Sequence, residues 1–143
     1  MVHTSFDREG GALGVDLLLD GVAPFTAISC ANDLLALGAL RRLAELGIAV
    51  PSQVSVAGFD DIPVAAMTAP SLSTVRLPLR EMGRRGFEVA DRVLAGEPAS
   101  REVMSTELVM RDSTARPPAV ALPDSRSLAS SAPSSLTKNG GTP

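Results

Sequence analysis

Short runs of apolar residues alternate with segments of helical periodicity over residues 1–116, and this alternation restricts the possible folds more than any other feature. Apolar runs predict strands at residues 25–30, 54–59, 72–77 and 102–111. Helical spacing predicts helices at residues 10–20, 34–46 and 78–94, with a short helix after residue 61. Strands that alternate with helices form βαβ units. We therefore predict an α/β fold with a parallel β-sheet flanked by helices.

The last part of the chain, residues 117–143, has a different composition. Eleven of these 27 residues are Ser or Pro, and none is aromatic. Such a segment cannot bury enough apolar surface to offset the entropy lost on ordering. We predict a disordered C-terminal tail at 117–143 and a folded domain at 1–116.

Charge and aromatic content argue against contact with nucleic acid. The formal net charge of −3 provides no counterion release on a phosphate backbone, and four Phe without Trp or Tyr offer few stacking platforms. No apolar run approaches the roughly 20 residues that span a bilayer. The N-terminus lacks the basic and then apolar layout of a signal peptide. These features predict a cytoplasmic protein that contacts neither nucleic acid nor membrane.

Residues for catalysis or metal binding are scarce. Cys30 and His3 are the single Cys and the single His of the chain. One Cys excludes an internal disulfide and a cysteine-rich metal site, and no Ser/His/acid set is evident. The sequence thus predicts no enzyme activity, no metal and no cofactor.

Polar side chains follow two of the predicted strands. Asn32 and Asp33 come after the first strand, and Asp60 and Asp61 come after the second. Ligands of parallel α/β sheets bind beyond the carboxyl ends of the strands. All four residues are also good helix caps, so a purely structural role is the alternative, and cap preference alone favours it for Asn32.

Two segments resemble hallmarks of the LacI/GalR family of transcription regulators: residues 26–40 (TAISCANDLLALGAL) and 50–63 (VPSQVSVAGFDDIP). Residues 72–76, 83–85 and 107–114 complete the family pattern in order. The resemblance covers residues 4–117. It implies the C-terminal part of a periplasmic-binding-protein-like sensor domain, without the helix-turn-helix of the full-length protein.

The resemblance implies the effector-sensing and dimerising part of a regulator. A sugar or similar small metabolite would bind between two subdomains, and closure would alter the DNA affinity of the full-length protein. A fragment of a solute-binding transport protein and a dimerisation-only interaction module remain alternatives. In the family the chain crosses between subdomains near residues 74–76, so helix 78–95 would belong to the otherwise missing N-terminal subdomain.

Residue roles follow from the same resemblance. Asn32 and Asp60 would bind effector hydroxyls, with Asp33 and Asp61 left to cap the helices that follow. Phe6 would stack on the ligand, although an isolated Phe is equally expected in the core. Leu77 departs from the family, which often has Gln there, and a Leu can only pack, which favours a more apolar effector.

The resemblance also implies a homodimer. The family dimerises through this subdomain, and the helix at 34–46 and the short helix after residue 61 would provide the surface. The predicted interface residues are Leu37, Ile62, Ala66 and Met67.

Overall fold

The computed structural model describes residues 1–21, 23–117 and 119. The helices are α1 (Arg8–Leu19), α2 (Asp33–Glu45) and α3 (Leu79–Leu94), with a short 3₁₀ helix at Pro63–Met67. The strands are β1 (Ala27–Ser29), β2 (Ser55–Ala57), β3 (Thr74–Arg76) and β4 (Glu107–Val109). Every predicted helix and strand is present, but each strand is shorter than predicted.

The strands lie in the order β1, β2, β3, β4. β1 and β2 pair in parallel, and isolated parallel bridges from Ala57 to Ser73 and from Asp60 to Arg76 bring β3 alongside β2. β4 pairs with β3 in the antiparallel direction. The predicted parallel sheet with flanking helices is therefore confirmed for the first three strands. β4 is antiparallel because the chain leaves the sheet after β3, forms α3, and then returns to the sheet directly beside β3.

The hydrophobic core lies where α1 and α2 pack on the sheet. Leu43 of α2 and Val54 and Val56 at β2 are fully buried. Burial of an aliphatic side chain of this size contributes about 1.5–3 kcal/mol. The buried core residues are Val15, Leu19, Ile28, Ala36, Ala39, Leu40, Leu43, Ile48, Val54, Val56, Ala65 and Leu72.

Glycines allow α1 and α2 to cross with their backbones in contact. A Cβ added to Gly38 of α2 would overlap the carbonyl oxygen of Arg8, and a Cβ added to Gly11 of α1 would overlap that of Leu35. Because neither glycine carries a side chain, the two helices approach more closely than any other residue pair would permit. The position of α1 on the core therefore depends on these two residues.

Helix α3 lies apart from the core, and none of its residues is buried. Its apolar side chains reach solvent, and Leu94 is 88% exposed. On its charged side Arg84 bridges Glu81 and Glu88. The hydrogen bond from Arg84 lowers the pKa of Glu81 to about 2. An amphipathic helix with its apolar side uncovered is typical of a surface that another element packs against.

Two further sequence predictions concern the C-terminal tail and contact with a membrane. Apart from Pro117 and Ala119, the predicted disordered tail at 117–143 lies outside the described residues. Within the described ranges, no helix is both long and apolar enough to cross a membrane.

Candidate functional site

The carboxyl ends of β1, β2 and β3 meet around the first turn of α2. The backbone N–H of Asp33 donates to the carbonyl of Phe59 over 2.8 Å, which joins the start of α2 to the segment after β2. The N–H of Asp60 donates to the carbonyl of Val75 over 2.9 Å, which joins the same segment to β3. Asn32 and Asp60 thus follow neighbouring strands at one edge of the sheet, where ligands of such folds bind.

Asn32 is the N-cap of α2. Its Oδ1 accepts a hydrogen bond from the N–H of Leu35 over 2.9 Å. The prediction that Asp33 caps this helix is wrong, because Asp33 is already its first helical residue. The Nδ2 of Asn32 makes no hydrogen bond within the described part of the chain, so its two donors remain available to a ligand.

Asp33 is a fully buried carboxylate that ties two other elements to α2. Its Oδ1 accepts from the Thr74 hydroxyl of β3 over 2.6 Å, and its Oδ2 accepts from the N–H of Ile62 over 2.9 Å. A Cβ at Gly58 would overlap Asp33 Oδ1, so the absence of a side chain there makes room for the carboxylate. A buried charge needs such partners, since leaving it unpaired is costly.

Asp60 has an unusual backbone conformation, and no described residue binds its carboxylate. Its φ is +115°, and Asp61 follows with a φ of +55°, both outside the range that non-glycine residues ordinarily adopt. Burial, followed by the negative charge of Asp33, raises the pKa of Asp60. No donor in the described residues hydrogen-bonds its carboxylate. A partly desolvated carboxylate with free acceptor positions is well suited to bind hydroxyl groups.

Asp61 is held by two arginines. Its carboxylate binds Arg76 Nε over 2.6 Å and an Arg111 terminal nitrogen over 2.5 Å. Burial alone would raise the pKa of Asp61, but the hydrogen bonds from both arginines outweigh burial and lower it. The predicted helix-capping role is wrong, because the 3₁₀ helix begins after Ile62 with no side-chain cap.

Phe6 is 68% exposed, so of its two expected places, against the ligand or in the core, the core is excluded. It lines a cavity of about 520 Å³ together with residues 1–4, one side of α1 from Gly10 to Leu18, the whole of β1, and Leu35 and Ala39 of α2. Asn32 and Asp60 do not line this cavity. The structure therefore does not gather the three predicted ligand residues around one cavity, because Phe6 shares a cavity with β1 whereas Asp60 follows β2.

Leu77 lines a second cavity, of about 360 Å³, between α3 and residues 100–106. Pro78 and Met82 contribute to the same cavity. Leu77 thus packs toward α3, which is consistent with a side chain that has no hydrogen-bonding group.

The described residues offer neither a reactive thiol nor a metal site. Burial, with a smaller contribution from the charge of Asp33, raises the pKa of the Cys30 thiol to about 11, so the unreactive protonated form predominates at neutral pH. Among residues 1–21, 23–117 and 119, no three His, Cys, Asp or Glu side chains come together in a way that could hold a metal ion.

The predicted dimer residues differ in their exposure. Leu37 is 9% exposed, whereas Met67 is 80% exposed. Ala66 is exposed and Ile62 is half-buried. The bond from Ile62 N–H to Asp33 Oδ2 places the start of the 3₁₀ helix beside the first turn of α2, about one turn before Leu37. The four residues therefore belong to neighbouring elements, and their role at an interface stays a prediction.

Residues 2–114 match the periplasmic binding protein-like domain family. The HTH-type transcriptional regulator MalR of Streptomyces coelicolor is 42% identical over 118 residues, which cover 81% of this chain and 34% of that protein. This chain spans about a third of the length of the curated relatives it matches.

Two solved structures illustrate the structural likeness. A LacI-family transcriptional regulator from Mycobacterium smegmatis superposes with a TM-score of 0.74 at 31% identity, covering 82% of this chain and 45% of that one. A LacI-family regulator from Enterococcus faecium with bound ribose has a TM-score of 0.67 at 32% identity, covering 78% and 42%. These likenesses confirm the predicted periplasmic-binding-protein-like α/β fold.

Proposed function

The chain belongs to the periplasmic binding protein-like domain family, as part of the effector-binding domain of a LacI/GalR-type regulator, and we propose that it senses a sugar or a similar small polar metabolite. The matching relatives named above are transcription regulators, which favours a regulator over an enzyme or a transport protein. A bound effector changes a regulator by preferring one cleft geometry, which shifts the population toward it. In the whole protein, acting in the cytoplasm, this shift would alter DNA affinity.

The observation that carries the proposal is the pair of unused polar groups at the strand ends. The Asp60 carboxylate offers acceptors and the Asn32 Nδ2 offers donors, and both follow neighbouring parallel strands. A sugar hydroxyl both donates and accepts, so it can satisfy both groups at once. The bound ribose of the Enterococcus faecium regulator supports a sugar as the class of ligand.

We assign residues 1–116 to one part of a two-subdomain sensor in which the other subdomain covers α3. The uncovered apolar side of α3, with Leu94 88% exposed, supports this arrangement. The chain alone would then provide one wall of the cleft. We therefore expect it to bind a sugar weakly, with the second wall needed for full affinity.

D-ribose titrated into the isolated chain is expected to shift the side-chain amide signals of Asn32, with a millimolar dissociation constant. Heteronuclear NMR measures this, and the amide of Gln53, which accepts a hydrogen bond from Ala49, serves as an internal reference. Asp60→Asn keeps the shape of the side chain and removes its charge. It should weaken binding about tenfold or more, since charge-assisted hydrogen bonds are worth about 1.5–3 kcal/mol.

The matched control is Asp91→Asn, which removes an exposed charge on α3 and should leave the titration unchanged. A panel of other pentoses and hexoses extends the test beyond ribose. Equal affinities for the Asp60→Asn and Asp91→Asn chains would contradict a ligand role for Asp60.

We further propose that the chain dimerises through the surface formed by Leu37, Ile62, Ala66 and Met67. Met67 would be the principal contact, because its side chain is 80% exposed although it is large and apolar. Leu37 is mostly covered within one chain and would contribute only an edge of the interface. Such flexible apolar side chains adapt well to a partner surface.

Met67→Lys is expected to weaken self-association at least about tenfold. The substitution would place a charge at the centre of the interface, where a few large side chains contribute most of the binding energy. Sedimentation velocity over a range of protein concentrations measures the effect. Met110→Lys changes another exposed methionine, 63% accessible and outside the proposed surface, and should leave the association constant unchanged. A dimer that survives Met67→Lys but not Met110→Lys would place the interface elsewhere.

A further inference from the structure

The turn that carries Asp60 contains two consecutive non-glycine residues with positive φ. Asp60 and Asp61 have φ values of +115° and +55°. Conformations of this kind are strained and persist only where surrounding contacts hold the backbone firmly in place. The direction of the Asp60 side chain therefore depends on whatever holds the two ends of this turn.

Asp33 holds both ends. Its backbone N–H donates to the carbonyl of Phe59, immediately before the strained pair, over 2.8 Å. Its Oδ2 accepts from the N–H of Ile62, immediately after the pair, over 2.9 Å. One residue of α2 thus brackets Asp60 and Asp61 from both sides.

The Asp33 carboxylate is itself fixed in position. Its Oδ1 accepts from the buried Thr74 hydroxyl of β3 over 2.6 Å, and Gly58 leaves just enough space for this oxygen. The side chain is fully buried, so water does not compete for either oxygen. These hydrogen bonds thereby hold the turn in a fixed position relative to both α2 and β3.

We propose that Asp33 is a positioning residue for the ligand site: it contacts no ligand, and its carboxylate sets the backbone conformation from which Asp60 presents its own carboxylate. This inference rests on the proposed role of Asp60 in ligand binding. The other charged groups around the turn, Arg76 and Arg111, bind Asp61 and do not replace the bond from Asp33 to Ile62.

Substitutions at Asp33 and Thr74 separate positioning from charge. Asp33→Asn can still accept from Ile62 N–H through its oxygen and donate to Thr74 through its nitrogen, so it should keep the turn. Asp33→Ala removes both bonds and should release the turn. Thr74→Val removes only the anchor of the carboxylate, and Thr74→Ser, which keeps the hydroxyl, is its matched control.

NMR of the full chain without ligand provides the measurements. The three-bond HN–Hα coupling of Asp60 reports its φ, amide exchange of Ile62 reports the hydrogen bond, and carbon-13 titration reports the Asp60 carboxyl pKa. In Asp33→Ala the Ile62 amide should exchange about tenfold faster and the Asp60 coupling should change, as expected for loss of one local hydrogen bond. Thr74→Val should show the same changes to a smaller extent, and Thr74→Ser should match the unsubstituted chain.

Asp33→Asn should keep the coupling and the amide protection while lowering the pKa of Asp60, because the Asp33 charge that helps to raise it is gone. A structural role elsewhere in the fold would change the melting temperature but not these local signals. A changed Asp60 coupling in folded Asp33→Asn, which keeps both side-chain hydrogen bonds, would overturn the proposal, and so would an unchanged Asp60 coupling in folded Thr74→Val. If Asp33→Ala does not fold, these two variants still decide the question.

The outcome is distinguishable from that of the proposed function, because none of these signals requires a ligand. If the turn responds as expected while Asp60→Asn leaves the ribose titration unaffected, the ligand role of Asp60 fails and the control of its backbone by Asp33 stands.

Discussion

Gly38→Ala is expected to lower the free energy of unfolding by about 2 kcal/mol, because a steric cost of about 3 kcal/mol, at the upper end for overpacking a core, is partly offset by a gain in helix propensity. The new methyl group would overlap the carbonyl oxygen of Arg8, a backbone atom that cannot move without displacing the first turn of α1. The substitution would gain about 1 kcal/mol of helix propensity, so the measured loss is the steric cost reduced by that gain. Urea denaturation followed by circular dichroism measures the difference.

Gly83→Ala on α3 is the matched control. No atom of the described residues lies within 4 Å of the Cβ that it would add, and the residue is exposed. Only helix propensity acts there, so we expect no loss of stability. If both alanine variants unfold at the same urea concentration as the unsubstituted chain, α1 and α2 do not cross with their backbones in contact.

Ser113→Ala is expected to cost about 3 kcal/mol, because it leaves two buried polar groups without a partner at about 1–3 kcal/mol each. The Ser113 hydroxyl donates to the carbonyl of Val56 over 2.6 Å and accepts from the N–H of Ser73 over 2.8 Å. It therefore bridges the segments of β2 and β3 where their direct pairing is interrupted. Thermal unfolding followed by calorimetry measures the loss.

Ser71→Ala tests whether this cost comes from burial and not from the loss of any serine in the same region. The Ser71 hydroxyl binds the Asp112 carboxylate at an exposed position over 2.6 Å. Exposed pairs of this kind contribute about 0–1 kcal/mol. Equal destabilisation by Ser71→Ala and Ser113→Ala would show that the buried hydrogen bonds of Ser113 contribute no more to stability than the exposed hydrogen bond of Ser71.

The order and type of the structural elements could be predicted from sequence because they depend on local patterns. Leu40 and Leu43 recur at helical spacing, and both are buried in α2 as that spacing requires. The contact between Gly38 and Arg8 could not be predicted in this way, since it depends on how two helices cross. The same holds for Ser113, whose partners lie 40 and 57 positions away in the chain.

The candidate site was predicted less completely than the fold. Asn32 and Asp33 have similar cap preferences, and only the three-dimensional structure places the first at the cap and the second in the interior. Asp60 and Asp61 are chemically identical, and they differ because two arginines from distant segments reach only Asp61. Phe6 was assigned to the site by resemblance alone; it lines a cavity that Asn32 and Asp60 do not line, and its ligand role stays a prediction.

The antiparallel pairing of β3 and β4 has a topological consequence. Arg76 and Glu107 stand opposite each other in the register, so the chain leaves the sheet and re-enters it at one place. The residues between them, including α3, connect two strands that are already adjacent in the sheet. A hairpin turn of two residues can join antiparallel strands that are paired in this way. Because α3 is joined to the sheet at the ends of β3 and β4, this antiparallel pair sets the orientation of the helix relative to the sheet.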